Sequence, residues 1–263
     1  MSDEAFGADD PGDASGADDP GDAAGVDDAG DASGAADAAV LDSLRLADSS
    51  LPVGTDSVSY GIEQFVAADR VTDADDLAAL LGSVLRRQLG PGDLVALRAA
   101  HEGAADGDLA AVTAADRRLD AATLPAEFRE SATRTGGRLL RLQSDLRDDE
   151  FVTEYAALAD AGEVPGAYPA VLGAVAARAG VGQRRACLVA CQEFTTAVVG
   201  AAQRLLAFGH TDAQRVVVDC QPAMVEAVET SAGRSLADLT MFTPLVDVLA
   251  ADHERADRRL FVS

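Results

Sequence analysis

QRRACLVACQEFTTAVVGAAQRLLAFG, residues 183–209, is the stretch around which the rest of the chain has to be arranged. After Arg185 its only charges are Glu193 and Arg204. Leu188, Cys191, Thr195, Val198, Ala202 and Leu205 recur at steps of three and four, which places them on one face of a helix. Cys187, Ala190, Phe194, Ala197, Ala201 and Phe208 form a second apolar face. A helix apolar over most of its circumference must be enclosed by other helices. At about 1.5 Å per residue it would run roughly 39 Å, the depth of a one-domain bundle. The expected architecture is therefore all-α, a single-domain helical bundle around a long buried central helix.

Amphipathic segments on either side fit that plan. Val40, Leu41, Leu44 and Leu46 suit a short helix that stops at Leu51-Pro52-Val53-Gly54, and Ser57 can cap a following helix through Ile62, Phe65 and Val66. Thr72 or Asp73 caps the stripe Leu77, Leu80, Leu81, Val84, Leu85 and Leu89, which Gly90-Pro91-Gly92 should end. Leu94, Val95, Leu97 and Ala100 continue after it, and Leu109, Val112, Ala115 and Leu119 give a modest helix. Pro125 at a first-turn position opens a longer helix toward Leu146. Residues 162–169 read as a loop and 171–179 as small and apolar. Thr211-Asp212 should cap residues 213–220, with Pro222 starting a separate helix from Met224 to Thr230. No convincing alternating strand occurs; Val216 to Val218 is the nearest candidate.

The chain has 263 residues and a net charge of -24, with 45 acidic residues against 21 basic ones, all of them Arg. Such a surface repels polyanions, which argues against a nucleic-acid partner. At ordinary salt the charge also repels itself and weakens the compact state. In about 1 M salt the Debye length falls to ~3 Å and screens that repulsion. The composition points to a salt-adapted (haloarchaeal-type) cytoplasmic protein, although an ordinary acidic protein from a GC-rich genome shares it. The opening MSDEAF has neither a positive n-region nor an apolar h-region, so no signal peptide is expected. No uncharged run reaches the ~18 residues of a membrane span. Three cysteines suggest reduced thiols.

Residues 7–33 repeat a nine-residue unit, GADDPGDAS, GADDPGDAA, GVDDAGDAS. Twelve acidic residues and no Arg occur through Ala39. With almost nothing apolar to bury, residues 1–39 should be a disordered acidic tail, and residues 40–263 the folded all-α domain. The units lack the Gly-Gly-x-Gly-x-Asp spacing of calcium-binding β-rolls, so a solvated tail is the expectation.

Little in the chain reads as chemistry. A phosphate-binding loop needs a Lys, and there is none. His101, His210 and His253 are far apart, and no HExxH or CxxC pattern occurs. Cys187 and Cys191, four apart, could hold half a metal site, but buried thiols are the simpler reading because nothing nearby completes the shell. A Ser57–His101–Asp56 set can be assembled only on paper, and His253-Glu254 reads as capping or contact residues. The expectation is no catalytic and no metal-binding residue.

Two segments are unusual. LPVGTDSVSYGIE, residues 51–63, strings Pro, two Gly and several hydroxyls through a helix-to-helix junction. HERADRRLFVS, residues 253–263, runs a charged helix into Arg-Leu-Phe at a chain end, where aromatic and Arg side chains suit an anchor for a partner.

Together these segments resemble the urease accessory protein UreF family. Leu51, Pro52, Val53, Gly54, Ser57, Ser59, Gly61 and Glu63 match its first motif. Gly166-Ala167-Tyr168-Pro169 and Gly173 resemble its loop before the central helices, and Arg204, Gly209, Gln214 and Arg215 fit its Arg-to-Gln-Arg stretch. Pro244, Asp247, His253, Glu254, Arg259, Leu260, Phe261 and Ser263 match its terminus. Asp56 stands where the family has an aromatic that helps contact its GTPase partner, and Tyr60, one turn on, is the candidate substitute. Ala167 replaces a common His, Ala207 a Pro and His210 a Gln. The resemblance implies a cytoplasmic homodimer, not itself an enzyme, that bridges UreD (UreH) and the GTPase UreG on apo-urease so that nickel is inserted. It implies no cofactor bound by this chain, since nickel and GTP act through the partners. The partner-binding residues would be Pro52, Gly54, Ser57, Ser59, Tyr60, Glu63, His253, Arg259, Leu260 and Phe261. The alternative is a helical adaptor outside the urease system.

Overall fold

From Ala186 to Gln203 no residue of the long apolar helix is exposed, which is what a near-continuous apolar circumference requires. The computed structural model describes residues 24–54 and 61–254, with side chains over 33–54 and 61–251. In chain order the helices are α1 (Ala24–Leu46), α2 (Ile62–Ala67), α3 (Ala74–Val84), α4 (Leu94–Ala105), α5 (Leu109–Ala122), α6 (Ala126–Leu146) and α7 (Glu150–Asp160). After them come α8 (Tyr168–Arg178), α9 (Gln183–Leu205), α10 (His210–Ser231) and α11 (Pro244–Glu254). Among the described residues there is no strand, so the all-α expectation holds. Helix α9 lies against α1, α2, α3, α4, α8 and α10.

A close helix–helix approach lies elsewhere, between α4 and α8. Ala170 to Ala176 are buried without interruption. A Cβ on Gly173 would stand 2.3 Å from the carbonyl oxygen of Leu97, so the two backbones touch. A run that reads in sequence only as small and apolar thus forms a second axis of the core. The axes join through Arg98 of α4, whose guanidinium donates to Ser231 Oγ (2.8 Å), Gln183 Oε1 (2.6 Å) and the Val228 carbonyl (3.0 Å).

Two expected breaks are absent. Gly90-Pro91-Gly92 does not end its helix: residues 85–93 form a π-helical turn that carries α3 directly into α4. A proline inside an α-helix clashes with the carbonyl four residues back, and a wider turn releases that carbonyl. Here the Arg87 carbonyl accepts from Phe242 N (3.1 Å) and the Pro91 carbonyl from Thr240 N (3.0 Å). The glycines are needed for approach rather than for stopping: a Cβ on Gly90 would meet Ala227 Cα at 3.0 Å, and one on Gly92 would meet Met241 Cγ at 2.6 Å. Likewise Pro222 does not start a helix but sits on the exposed side of α10, which runs through it unbroken. Val216 to Val218, the strand candidate, lie within α10, where Val216 and Val217 are buried.

At the other end, α1 begins at Ala24, ahead of the Val40 boundary read from the sequence, and takes in the third nonapeptide as Ala-rich helix. Side chains 33–38 are all exposed, and packing starts at Ala39, Ser43 and Leu46. Val40, Leu41 and Leu44, the apparent apolar face, point outward at 39%, 67% and 63% exposure. Residues 1–23 of the acidic tail lie outside the described residues.

Candidate docking surface

The first motif is built on α6. The turn at Leu51–Gly54 leaves Pro52 exposed and drives Val53 fully into the core. Gly54 has φ +83°, a left-handed conformation that a side chain adopts only at a cost. Arg138 of α6 lies directly against it and donates from Nη1 to the Val53 carbonyl at 3.4 Å. Gly61, at φ +75°, begins α2 over Phe128 of the same helix, and Ile62 and Phe65 are buried below. Glu63 is half-buried on α2. The preceding helix is fastened to α6 as well: Arg147 grips both oxygens of Asp42 (2.5 and 2.6 Å), and Arg45 donates to Gln143 Oε1 at 3.2 Å. Ser57, Ser59 and Tyr60, and with them Asp56, lie outside the described residues.

The C-terminal helix comes to the same place. Helix α11 packs against α2, with Val246 and Ala250 buried. Ile62, Phe65, Phe128, Phe194, Val198 and Val246 line one apolar cleft between α2, α6, α9 and α11. On the outer side Phe242, Leu245 and Val248 are 68%, 50% and 57% exposed. His253 lies in the last turn of α11, while Arg259, Leu260 and Phe261 lie outside the described residues. Of the ten residues singled out from sequence, Pro52 and Gly54 lie in the turn ahead of α2, Glu63 on α2 and His253 on α11, and the other six lie outside the described residues.

Beside the cleft is a mostly apolar cavity with two acids in its walls, which the sequence reading missed. Its walls include Gln88 and Asp93 from the π turn, Tyr168 and Pro169 at the start of α8, and Glu193 and Phe194 of α9. The Tyr168 hydroxyl donates to Glu193 Oε2, and Asp93 Oδ2 is shut off from solvent with no partner. Burial pushes Glu193 up to about 8, with the Tyr168 hydrogen bond opposing it, and Asp93 up to about 7. At neutrality Glu193 is therefore largely proton-bearing and Asp93 about half so. One signal for Glu193 was available: it is the lone charge in the otherwise uncharged run from Ala186 to Gln203.

Asp116 is a second missed residue. Its carboxylate is completely buried and accepts from Tyr155 Oη (2.9 Å), Gly166 N (2.7 Å) and Ala167 N (2.8 Å). It thereby pins the Gly166–Pro169 loop that leads into the cavity. Burial raises its pKa, and the two backbone N–H groups and the tyrosine oppose that. Gly136 of α6 completes the clamp, since a Cβ there would lie 2.0 Å from the Gly166 carbonyl oxygen.

The remaining candidates have structural positions. Cys187 and Cys191 are free and buried, with thiols pushed up by burial to about 11 and about 12, so neither is a ready thiolate. No group of three metal-ligating side chains occurs among the described residues. His101 makes a 2.8 Å bond to the Val181 carbonyl and so helps hold the α8–α9 connection. Arg215 pairs with Asp212 at 2.6 Å near the start of α10, Gly209 precedes that helix, and Gln214 and Arg204 are exposed. Among the described residues no helix is long and apolar enough to cross a membrane.

Comparison with known proteins agrees with the sequence motifs. The family model UreF matches residues 71–221. A urease accessory protein UreF of Trichodesmium erythraeum is 30% identical over 220 residues, covering 84% of this chain and 95% of its own length. Urease accessory protein UreF 1 of Brucella melitensis is 29% identical over 224 residues, covering 85% and 92%. A urease accessory protein UreF from an Arthrobacter species is 28% identical over 219 residues, covering 83% and 95%.

Proposed function

The chain belongs to the urease accessory protein UreF family, and from that premise we propose that it is a non-catalytic scaffold in urease maturation. It bridges UreD (UreH) and the GTPase UreG on apo-urease, works as a homodimer in the cytoplasm, and acts in nickel insertion without binding nickel or GTP itself. The observation that carries this reading is the contact between α2 and α11. It sets the first motif beside the helix that leads to the terminal one, although the two lie at opposite ends of the sequence. A surface assembled from both chain ends, with Phe242, Leu245 and Val248 exposed alongside, suits a partner that covers apolar area within a polar rim.

The test is co-purification of the full chain with UreD and UreG, run in parallel with the Arg259→Ala variant. A guanidinium offers five fixed donors to a partner carboxylate or carbonyl, so Arg259 is the first candidate hot spot. Its loss should weaken the complex by about 2 kcal/mol or more. Equal recovery of both partners by the variant removes Arg259 from the surface. Failure of the unmodified chain to capture either partner, together with normal urease activity when its gene is deleted, would mean an adaptor outside the urease system.

A further inference from the structure

The turn that opens the first motif is tied to the end of α1 by Leu51 N, which donates to the Asp48 carbonyl at 3.0 Å. Within residues 51–54 the backbone closes with one short-range bond, Val53 N to the Leu51 carbonyl at 2.7 Å, and Gly54 then enters the left-handed region. What lies against this turn is a side chain far away in sequence. A Cβ built on Gly54 would fall 2.0 Å from Arg138 Nη1 and 3.3 Å from Cζ, so the guanidinium occupies the place where a side chain at position 54 would begin and would have to swing aside for one. The same Nη1 reaches the Val53 carbonyl, at a distance long enough that packing matters more than the bond. Among the described residues Arg138 pairs with no carboxylate, unlike Arg141 farther along α6 and Arg147 just past its end. An exposed arginine whose guanidinium lies under a glycine is placed for the shape of the turn.

We propose that Arg138 is a positioning residue for partner recognition: its guanidinium fixes the Leu51–Gly54 turn so that Pro52 is presented in the geometry a partner protein reads. The glycine at 54 and the arginine at 138 are one unit, the first removing a side chain so that the second can support the backbone. This rests on the scaffold reading above, and the test separates the two.

The native cysteines Cys187, Cys191 and Cys220 are all buried, so a nitroxide can be attached selectively to a Pro52→Cys variant of the full chain. In that background Arg138→Ala should sharpen the room-temperature nitroxide spectrum, Arg138→Lys should sharpen it less, and helix content and melting temperature should stay unchanged. Without the label, Arg138→Ala should weaken capture of the UreD–UreG pair at least tenfold. An unchanged spectrum overturns the positioning role whatever the partners do. A sharpened spectrum with capture within twofold of the unmodified chain overturns the link to recognition. If the unmodified chain captures neither partner, the scaffold reading falls, and the spectrum alone still decides whether Arg138 holds the turn.

Discussion

Replacing Asp116 with alanine removes one carboxylate and leaves three donors stranded. The Tyr155 hydroxyl and the Gly166 and Ala167 N–H groups all point into a site with no solvent access, and Tyr155 is itself fully buried. A buried donor left without an acceptor costs about 1–3 kcal/mol. Three such losses, offset in part by no longer burying a carboxylate, put the net destabilisation at roughly 4 kcal/mol. For a chain of this size that is a drop of roughly 10 °C in melting temperature. Tyr155→Phe removes a single bond and should cost only about 1 kcal/mol. Asp116→Asn keeps one acceptor oxygen but turns an NH2 toward a donor, so it should fall between the two. Denaturant unfolding followed by circular dichroism measures all three. Because the loop carries Tyr168 toward Glu193, Asp116→Ala should also raise hydrogen exchange at Ala167 and Tyr168 ahead of the rest of α8. If Asp116→Ala costs less than Tyr155→Phe, the three bonds do not hold the loop and the reasoning fails.

Other consequences follow from charge and burial. Glu193 and Asp93 have folded pKa values of about 8 and about 7, above those of the unfolded chain, so the folded state holds protons that the unfolded state has lost. Their contribution to stability is therefore complete below about pH 4 and is lost as pH rises through about 7 to 8; Glu193→Gln should flatten that part of a stability-against-pH curve, and an unchanged slope would refute the assignment. Arg98→Ala removes three bonds joining α4, α9 and α10 and should cost about 2 kcal/mol, read from denaturant midpoints. Arg98→Lys should not restore the loss, since an ammonium cannot span the three acceptors in a plane. With a net charge of -24, the melting temperature should climb steeply as salt approaches about 1 M, whereas a flat profile would show that self-repulsion is unimportant.

How much of this was legible in the sequence depended on whether a signal was local. The stripes through Leu77, Leu81 and Val84, through Val112, Ala115 and Leu119, and through 183–209 placed α3, α5 and α9. Pro125 correctly marked the start of α6, and Asp73 caps α3 by accepting from Asp76 N. Punctuation failed where tertiary contacts outweighed local cost. Gly90, Pro91 and Gly92 carry a strong stop signal, but Thr240 and Phe242 satisfy the carbonyls of the wide turn, and Ala227 and Met241 fill the room the glycines leave. Carboxylates failed for a related reason: an Asp or Glu reads as a solvent-facing charge until its burial is known. Asp116 had a warning attached, because it falls at the i+4 step between Val112 and Leu119, on the buried face of α5. A charge at a core position of an otherwise apolar stripe needs donors to satisfy it, and in this molecule they come from a loop fifty residues on. The same logic applies at Arg138, whose role becomes visible only once Gly54 is seen resting on it. Motifs could thus be recognised from sequence as candidate surface, while the side chain that lies under the first-motif turn belongs to α6 and carries no motif of its own. Arg138→Ala is therefore the substitution that should separate a folded bundle from a functional one, whereas changes at Asp116 and Glu193 are read in stability.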